Sequence, residues 1–455
     1  MKSIRFYFAL WSAKAAQGVL KLMHRNATYG PGKLALKLYP DFLKEIGRPE
    51  TLIGVTGTNG KTTVSNMLCD IFESWGEDPV SNRFGSNIDA GAAASLIAAA
   101  SFSGKCRKTL GVLEMDERSA ARLFPVLKPD WLVVTNLFRD SMRRNAHPEY
   151  IAGLIERNVD KSTKLILNAD DPISSGIAPL NGRSYFSMDA LPIEPPLREN
   201  LVQDVRICPV CGEPVQYSFR RYHHIGRAEC PQCGWHSPKP DYQLVSADPE
   251  SGRMAVMEDT VWHEYKMPST AVYNLYNALS AVTLLRSMGY PAEKIAAAMD
   301  GLEVVKSRYH DEQIGRWKLT ASMAKGLNSV ACSRNFDMVL NTPGKKAVVL
   351  MLDDVFDEKS SSENIAWLYD ADFEFLNDAD IVQVVAVGAR SADTRLRLLL
   401  AGVEPEKITV VPKAADAADS VFLGSCERVF VLFEVYRHDQ AMRVRNAIAE
   451  RMGRE

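Results

Sequence analysis

The chain has 455 residues, too many for one ordinary domain and enough for two or three. Hydrophobic residues make up 46% and charged residues 24%, the balance of a globular protein with a full core. A net charge of −2 gives no chain-wide surface for a polyanion, and no apolar run reaches the roughly 18 residues of a membrane span.

The opening stretch MKSIRFYFALWSAKAAQGVL is basic and apolar. Arg5 and Lys14 interrupt its apolar part and no small-residue cleavage site follows, so it reads as an amphipathic helix packing on the body, with an export or membrane-surface signal as the alternative. Residues 51–56 read as a strand and 61–75 as a helix, with a glycine loop between them. Further apolar runs follow at 110–116, 131–137 and 164–171, spaced widely enough for helices. This alternation predicts a parallel sheet covered on both faces. Near 190 the pattern breaks into LPIEPPLREN, and residues 191–240 read as an insertion, with a cysteine-bearing ribbon at 201–240. A helix returns in NLYNALSAVTLLRSMGY, ending before Gly289. A second α/β pattern follows, with strands expected at 346–352, 380–388, 407–411 and 428–434. The predicted organisation is an N-terminal segment (1–46), a central domain (47–300) carrying the ribbon, and a smaller Rossmann-like C-terminal domain (301–455). Of eight cysteines, four form two tight pairs and Cys69, Cys106, Cys332 and Cys426 are scattered, which agrees with a cytoplasmic address.

The chemistry starts at GVTGTNGKTT, Gly54 to Thr63. A glycine loop feeding a helix N-terminus turns backbone N–H groups toward phosphate oxygens, and the helix dipole favours negative charge. Lys61 would reach the β- and γ-phosphates and the Thr62 hydroxyl would help hold Mg²⁺. The general NTPase pattern is not met, because Val55 stands where its first glycine belongs and Gly54 comes one residue early. Glu114 closes a predicted strand, where an acid can hold Mg²⁺ beside the γ-phosphate or simply face solvent.

The segment TGTNGKTT, with Gly57, Thr58, Asn59, Gly60, Lys61, Thr62 and Thr63, resembles the ATP loop of the Mur ligase family. VVTNLFRD (133–140), LNADDP (167–172), the pair Asn274 and Asn277, and Arg308 resemble that family's later segments, in order, from about residue 50 to 310. The resemblance implies ATP-driven amide formation: a carboxylate takes the γ-phosphoryl group, and an amine displaces phosphate. Asn274 and Asn277 would lie near the adenine, and Arg308 would stand at the start of the C-terminal domain. Such chemistry needs alignment and charge neutralisation more than covalent help.

Two departures narrow the choice. Amino-acid-adding Mur ligases carry a modified lysine upstream of the Asn-Ala-Asp-Asp stretch, but counting back from Asn168 that slot holds Ile155, with Glu156 beside it. Glu156 could supply a metal carboxylate directly or be an ordinary exposed helix residue. The metal-side His-Met-Asp of the family reads SMRR here, with Ser141 and Arg143. The second departure is CPVCG (208–212) and CPQCG (230–234), two C-x₂-C pairs eighteen residues apart. Cys208, Cys211, Cys230 and Cys233 can place four thiolates on one zinc, and with all four positions filled such a zinc is structural.

A Mur core with an inserted four-cysteine ribbon resembles the MurT family, the synthetase subunits of bacterial lipid II isoglutaminyl synthases. GPGKLALKLYPDFL (30–43) and WLYDADFEFL (367–376) resemble its flanking segments. The resemblance implies amidation of the α-carboxylate of D-glutamate in lipid II, with ammonia from a separate GatD-like class I glutaminase. It also implies membrane contact through the substrate, at the inner face of the cytoplasmic membrane. In that family the synthetase lends an aspartate to the glutaminase's Cys–His pair; Asp370 is the first candidate, with Asp353 and Asp354 behind it, against the reading of a plain acidic loop.

Three other readings stand beside this one. A folylpolyglutamate synthase-like ligase would be expected to keep the missing lysine. A zinc-ribbon nucleic-acid ATPase would use Arg220, Arg221 and Arg227 as a basic face, although the chain is slightly acidic. A scaffold with a dead ATP site would not need Lys61, Thr62 and Glu114 intact.

Overall fold

The computed structural model describes residues 2–139, 147–194, 197–302, 309–324, 328–353 and 365–454. Two compact units result, one of residues up to 137 with 148–197 and 204–304, the other of 305–455 with short segments from 138–147 and 198–203.

The first unit begins with α1 (Ile4–Leu22), α2 (Gly30–Leu38) and α3 (Phe42–Glu45). One face of α1 packs on the body as the pattern predicts: Phe6, Ala9, Leu10 and Ala13 are fully buried, and Phe6 stacks on Phe42 with ring centroids 5.2 Å apart. Then come β1 (Thr51–Thr56), α4 (Lys61–Ser74), β2 (Val80–Ser81), α5 (Asp89–Ala99), β3 (Leu110–Glu114), α6 (Ala120–Leu127), β4 (Trp131–Val134), α7 (Pro148–Asn158), β5 (Lys164–Asn168) and β6 (Arg183–Met188). After β6 come the two-stranded β7 (Gln216–Tyr222) and β8 (Ile225–Glu229), then β9 (Tyr242–Asp248), β10 (Arg253–Glu258), β11 (Val261–Lys266), α8 (Val272–Ser287) and α9 (Ala292–Gly301).

The main sheet runs β11-β10-β9-β6-β5-β4-β1-β3-β2. From β2 to β9 every pairing is parallel. The central strands β1, β3, β4 and β5 are almost continuous apolar runs, as strands covered on both faces are. The chain visits β3 on one side of β1 and then crosses to β4 on the other, so the loop after β1 opens at a reversal of strand order. In open α/β sheets that is where ligands sit. The antiparallel extension β9-β10-β11 was not expected from the sequence. Its strands carry mixed polar and apolar residues, and β11 is half exposed, so it has no buried-strand signature.

The second unit contains β12 (Tyr309–Ile314), β13 (Trp317–Met323), α10 (Ser329–Asn341), β14 (Lys346–Met351), α11 (Trp367–Asp370), β15 (Ile381–Val387), α12 (Ser391–Leu400), β16 (Ile408–Val411), β17 (Arg428–Phe433) and α13 (His438–Met452). Its sheet order is β12-β13-β17-β14-β15-β16, parallel except for the hairpin β12–β13. The four predicted strands are present; the hairpin was missed. The last strand, β17, inserts between β13 and β14, and Val429, Val431 and Phe433 join a core with Val349 and Val385.

Candidate active site

The loop between β1 and α4 is shaped by two glycines with left-handed backbone, Gly57 (φ 126°) and Gly60 (φ 88°). Neither position has room for a side chain. A Cβ on Gly57 would come within 2.8 Å of Asn136 O, and one on Gly60 would press into the Asn277 amide, 3.1 Å from its Cγ. The rest of the loop is held from β4's end. Thr58 N donates to Asn136 O (2.8 Å), Asn59 N to Asn136 Oδ1 (3.0 Å), and Asn136 Nδ2 and Thr135 Oγ1 both donate to Asn59 O (3.1 and 2.6 Å). The first intrahelical bond of α4 is Val64 N to Gly60 O at 3.0 Å. The amides of Lys61, Thr62 and Thr63 therefore lie in the first turn, before the helix can use them, the arrangement that suits an anion.

Lys61 lies over this loop. Its ammonium donates to Gly57 O, to Thr58 O (3.4 Å) and to Glu117 Oε2 (2.8 Å). Both partners of the ion pair are nearly buried, with 11% and 3% of their side chains exposed. Burial pulls the ammonium's pKa down, but Glu117, helped by Glu114 and Asp116, more than offsets this and leaves it raised. Glu114 ends β3 and is oriented from two directions. Asn82 bonds its backbone N and O (2.9 and 2.8 Å), and Asn87 Nδ2 donates to its Oε1 (2.9 Å). The loop thus combines backbone donors, one buried cation and a fixed carboxylate, the set that a nucleoside triphosphate with a divalent ion requires.

On the other side, α8 presents the asparagine pair. Asn277 is buried against Gly60, while Asn274 Nδ2 donates to Ser269 Oγ at 2.8 Å. Arg308, Ser141 and Arg143 lie outside the described residues. Ile155 is fully buried in the core and Glu156 is on the exposed side of α7.

The Asn-Ala-Asp-Asp stretch after β5 anchors the insertion. Asp170 accepts from Met188 N and Tyr276 Oη (both 2.8 Å) and pairs with Arg227 (3.6 Å), while its own carbonyl takes Gly226 N (2.7 Å). Asp171 accepts from Leu137 N (2.8 Å) and sits 3.3 Å from His224 Nε2, both side chains fully buried. Burial alone would raise the Asp171 carboxyl; the His224 contact and the Leu137 amide reverse the shift and hold it below the ordinary range. The Arg221 side chain is 2% exposed. It grips Glu194 with two bonds (2.5 and 2.7 Å), donates to Asp189 O (2.7 Å) and meets the Tyr276 hydroxyl. Arg221 and Arg227, read as parts of a basic face, therefore turn inward and hold the β7–β8 hairpin to Asp170. That removes the main support for a nucleic-acid surface.

The knuckles flank this hairpin. Gly212 and Gly234 have positive φ, and their amides donate to Cys208 O (3.0 Å) and Cys230 O (2.9 Å). Each C-P-x-C-G segment closes into a tight turn that sets its two thiols facing those of the other knuckle. All four sulfurs lie within 4.8 Å of one another, with Cys208–Cys233 and Cys211–Cys230 at 3.5 Å. Burial opposes ionisation of Cys208, but the amides of Cys211 and Val210 win and bring its thiol to about 7.

In the second unit, Asp370 closes α11 and faces Arg139 at 3.7 Å, with 18% of its side chain exposed. The buried Arg397 fixes that turn by donating to Leu368 O (2.8 Å) and Ala371 O (2.9 Å). Nearby Asp372 is spent on structure, accepting from Asn200 Nδ2 and Leu201 N. Asp353 follows β14 and lines a cavity of about 270 Å³ with Gly388, Lys413, Arg437 and Gln440, at the carboxyl ends of β14, β15 and β16. Asp354 lies outside the described residues.

Residues 55–185 match the Mur ligase middle domain, and residues 326–436 match the MurT ligase C-terminal domain. The chain is 29% identical over 404 residues to the lipid II isoglutaminyl synthase (glutamine-hydrolyzing) subunit MurT of Staphylococcus aureus, covering 88% of this chain and 89% of that one. It is 28% identical over 433 residues to the MurT subunit of Streptococcus pneumoniae, covering 94% of each. The chain is thus similar to MurT subunits along nearly its whole length. Among solved structures, a pseudomurein peptide ligase type C from Methanothermus fervidus shares the fold, with a TM-score of 0.64 at 19% identity over 90% of this chain and 80% of that one.

Within this chain the structure brings together Gly57 to Thr63, Glu114 and Asn277, three stretches far apart in sequence. It also adds two residues that sequence reading missed. Glu117 pairs with Lys61; its only trace in the sequence is the third acid of EMDE, after Glu114 and Asp116. Asn136 ties the loop to β4, and VVTNLFRD was read for its metal side alone.

Proposed function

We propose that this chain is the ATP-dependent synthetase half of a lipid II amidating enzyme, converting the α-carboxylate of the D-glutamate residue to the amide. The observation that carries the reading is a complete nucleotide loop in a chain whose relatives are named lipid II isoglutaminyl synthase subunits along nearly their whole length. The substrate carboxylate attacks the γ-phosphorus, the bond to the ADP oxygen breaks, and an acyl phosphate forms. Ammonia then adds to the acyl carbon, loses a proton, and expels phosphate with the C–O electron pair. Lys61 and the first-turn amides of α4 would take the phosphoryl charge, Gly57 and Gly60 let the backbone approach, and Asn274 and Asn277 would lie toward the base, with Arg308 at the start of the second unit. Mur ligases use ATP with Mg²⁺; Thr62 and Glu114 would hold the ion, which supplies charge neutralisation between the phosphates.

The four cysteines fit zinc. Zinc–thiolate bonds of about 2.3 Å in a tetrahedron put sulfurs roughly 3.8 Å apart, close to the spacing found here. With four thiolate ligands no position is left for water or substrate, so the ion would hold the ribbon together. The relatives are named as subunits, which supports a partner. We read it as a GatD-like class I glutaminase, with Asp370 orienting its histidine, and the complex working at the inner face of the cytoplasmic membrane on its lipid-linked substrate.

The test is amidation of lipid II by the purified chain with Mg-ATP, read by mass spectrometry as the loss of about 1 Da when NH₂ replaces OH. Product with ammonium but not with glutamine, and with glutamine once the glutaminase is added, is the expected result. Turnover that needs an added amino acid would instead make it an amino-acid ligase and end the proposal.

A further inference from the structure

The helix α1 has two apolar faces, and the body covers only one. Phe6, Ala9, Leu10, Ala13 and Gln17 form the buried stripe. On the opposite side Ile4, Phe8, Trp11, Ala15, Val19 and Leu22 recur at steps of three and four, which is a second continuous stripe along the helix. Their exposure is high: Ile4 87%, Phe8 62%, Trp11 53%, Val19 55% and Leu22 82%. Phe102, 68% exposed, extends the patch, since Trp11 Nε1 donates to its carbonyl at 3.0 Å. A contiguous apolar surface of this kind marks an interaction site.

The surrounding charge says which kind. Residues 1–40 contain seven lysines and arginines and no acid, in a chain whose net charge is −2. Lys2 and Lys14 are tied to backbone carbonyls, of Gly104 and of Ile97 and Ala100. Arg5, Lys21, Arg25, Lys105 and Arg107 remain exposed around them. Among the described residues no helix is long and apolar enough to cross a membrane. A helix that cannot span, is apolar outward, carries Trp and Phe on that side and has cations at its flanks suits the plane of an anionic bilayer surface.

We infer that α1 docks the protein directly on an anionic lipid surface, its outer stripe entering the headgroup boundary and its basic flanks meeting the phosphates. This contact is made by the protein itself and does not depend on the lipid-linked substrate. It would hold the enzyme in the layer where such a substrate resides.

The experiment is sedimentation of the full chain with vesicles free of any lipid-linked substrate, either rich in phosphatidylglycerol or made of phosphatidylcholine alone, at low and high salt. The wild type is expected to pellet with the anionic vesicles and to be released by salt. Phe8→Glu/Leu22→Glu should weaken the partition at least about tenfold, and Arg5→Gln/Lys21→Gln, losing two surface cations, by a similar factor. Unchanged melting midpoints keep folding apart from binding, because all four side chains are exposed. Failure of the wild type to pellet, or pelleting equal in all variants, overturns the inference. So does a wild-type oligomer in sedimentation velocity that Phe8→Glu/Leu22→Glu dissolves with no vesicle binding, which would make the face a protein interface.

Discussion

Gly60→Ala tests the loop geometry most directly. Gly60 stands at φ 88°, immediately before α4, and an L-residue held there costs about 1–2 kcal/mol. The new Cβ would also press into the Asn277 side chain, which is only 5% exposed and has little space to retreat. Forcing that side chain off its rotamer adds about 0.5–1.5 kcal/mol. The summed loss, about 1.5–3.5 kcal/mol, should lower the melting midpoint by at least roughly 3 °C. Nucleotide affinity should fall further, because relief of the clash must shift either the first-turn amides or Asn277. Calorimetric titration with a non-hydrolysable ATP analogue in Mg²⁺ should show a Kd at least about tenfold weaker. The double variant Gly60→Ala/Asn277→Ala separates the two causes. It should recover the rotamer part and leave the left-handed strain, so the two changes will not add. A Gly60→Ala protein with the wild-type melting point and wild-type affinity would refute both the tight approach and the role given to this loop.

The other predictions concern the ribbon and the second unit. Arg221→Met leaves Glu194 and Asp170 without their buried cation and should destabilise by about 3–5 kcal/mol; a thermal shift below roughly 2 °C would show that the hairpin is held by something else. Asp171 has a depressed pKa in the folded chain, so its contribution is present above the unfolded value of about 3.9 and is lost as pH falls through the folded one. Asp171→Asn should therefore flatten the acid limb of a stability–pH curve below about pH 4, and an acid limb identical to the wild type's would count against the His224 pairing. Elemental analysis should find one zinc per chain that Cys211→Ser releases, with all four ribbon thiols reacting after chelation; fully reactive thiols in the untreated protein would rule the site out. Asp370→Asn should cut glutamine-driven amidation by on the order of 10²–10⁴-fold while leaving ammonium-driven amidation intact. Equal loss of both would assign Asp370 to the synthetase or to folding.

Local order carried a large part of this protein into plain view. The loop Gly57–Thr63, the knuckle pairs and the buried strands β1, β3, β4, β5, β14, β15 and β17 could be read directly, because each depends on neighbours within a few residues: φ > 0 at a glycine, two thiols on one turn, a run of apolar residues between covered faces. Elements whose stability comes from elsewhere could not be read in this way. The extension β9–β11 and the hairpin β12–β13 have mixed composition, and only their place at a sheet edge makes them strands. Side-chain partnerships were equally hidden. Arg221 looks like a surface cation until Glu194, Asp189 and Tyr276 are brought around it, and Lys61 takes Glu117 rather than the acid that ends β3. The same holds for α1, whose two apolar stripes are identical in kind on paper. Sequence alone determined the residues' chemistry and local backbone. Which stripe is buried and which cation is spent inside was decided by tertiary packing, because burial and pairing depend on residues that can be more than a hundred positions away.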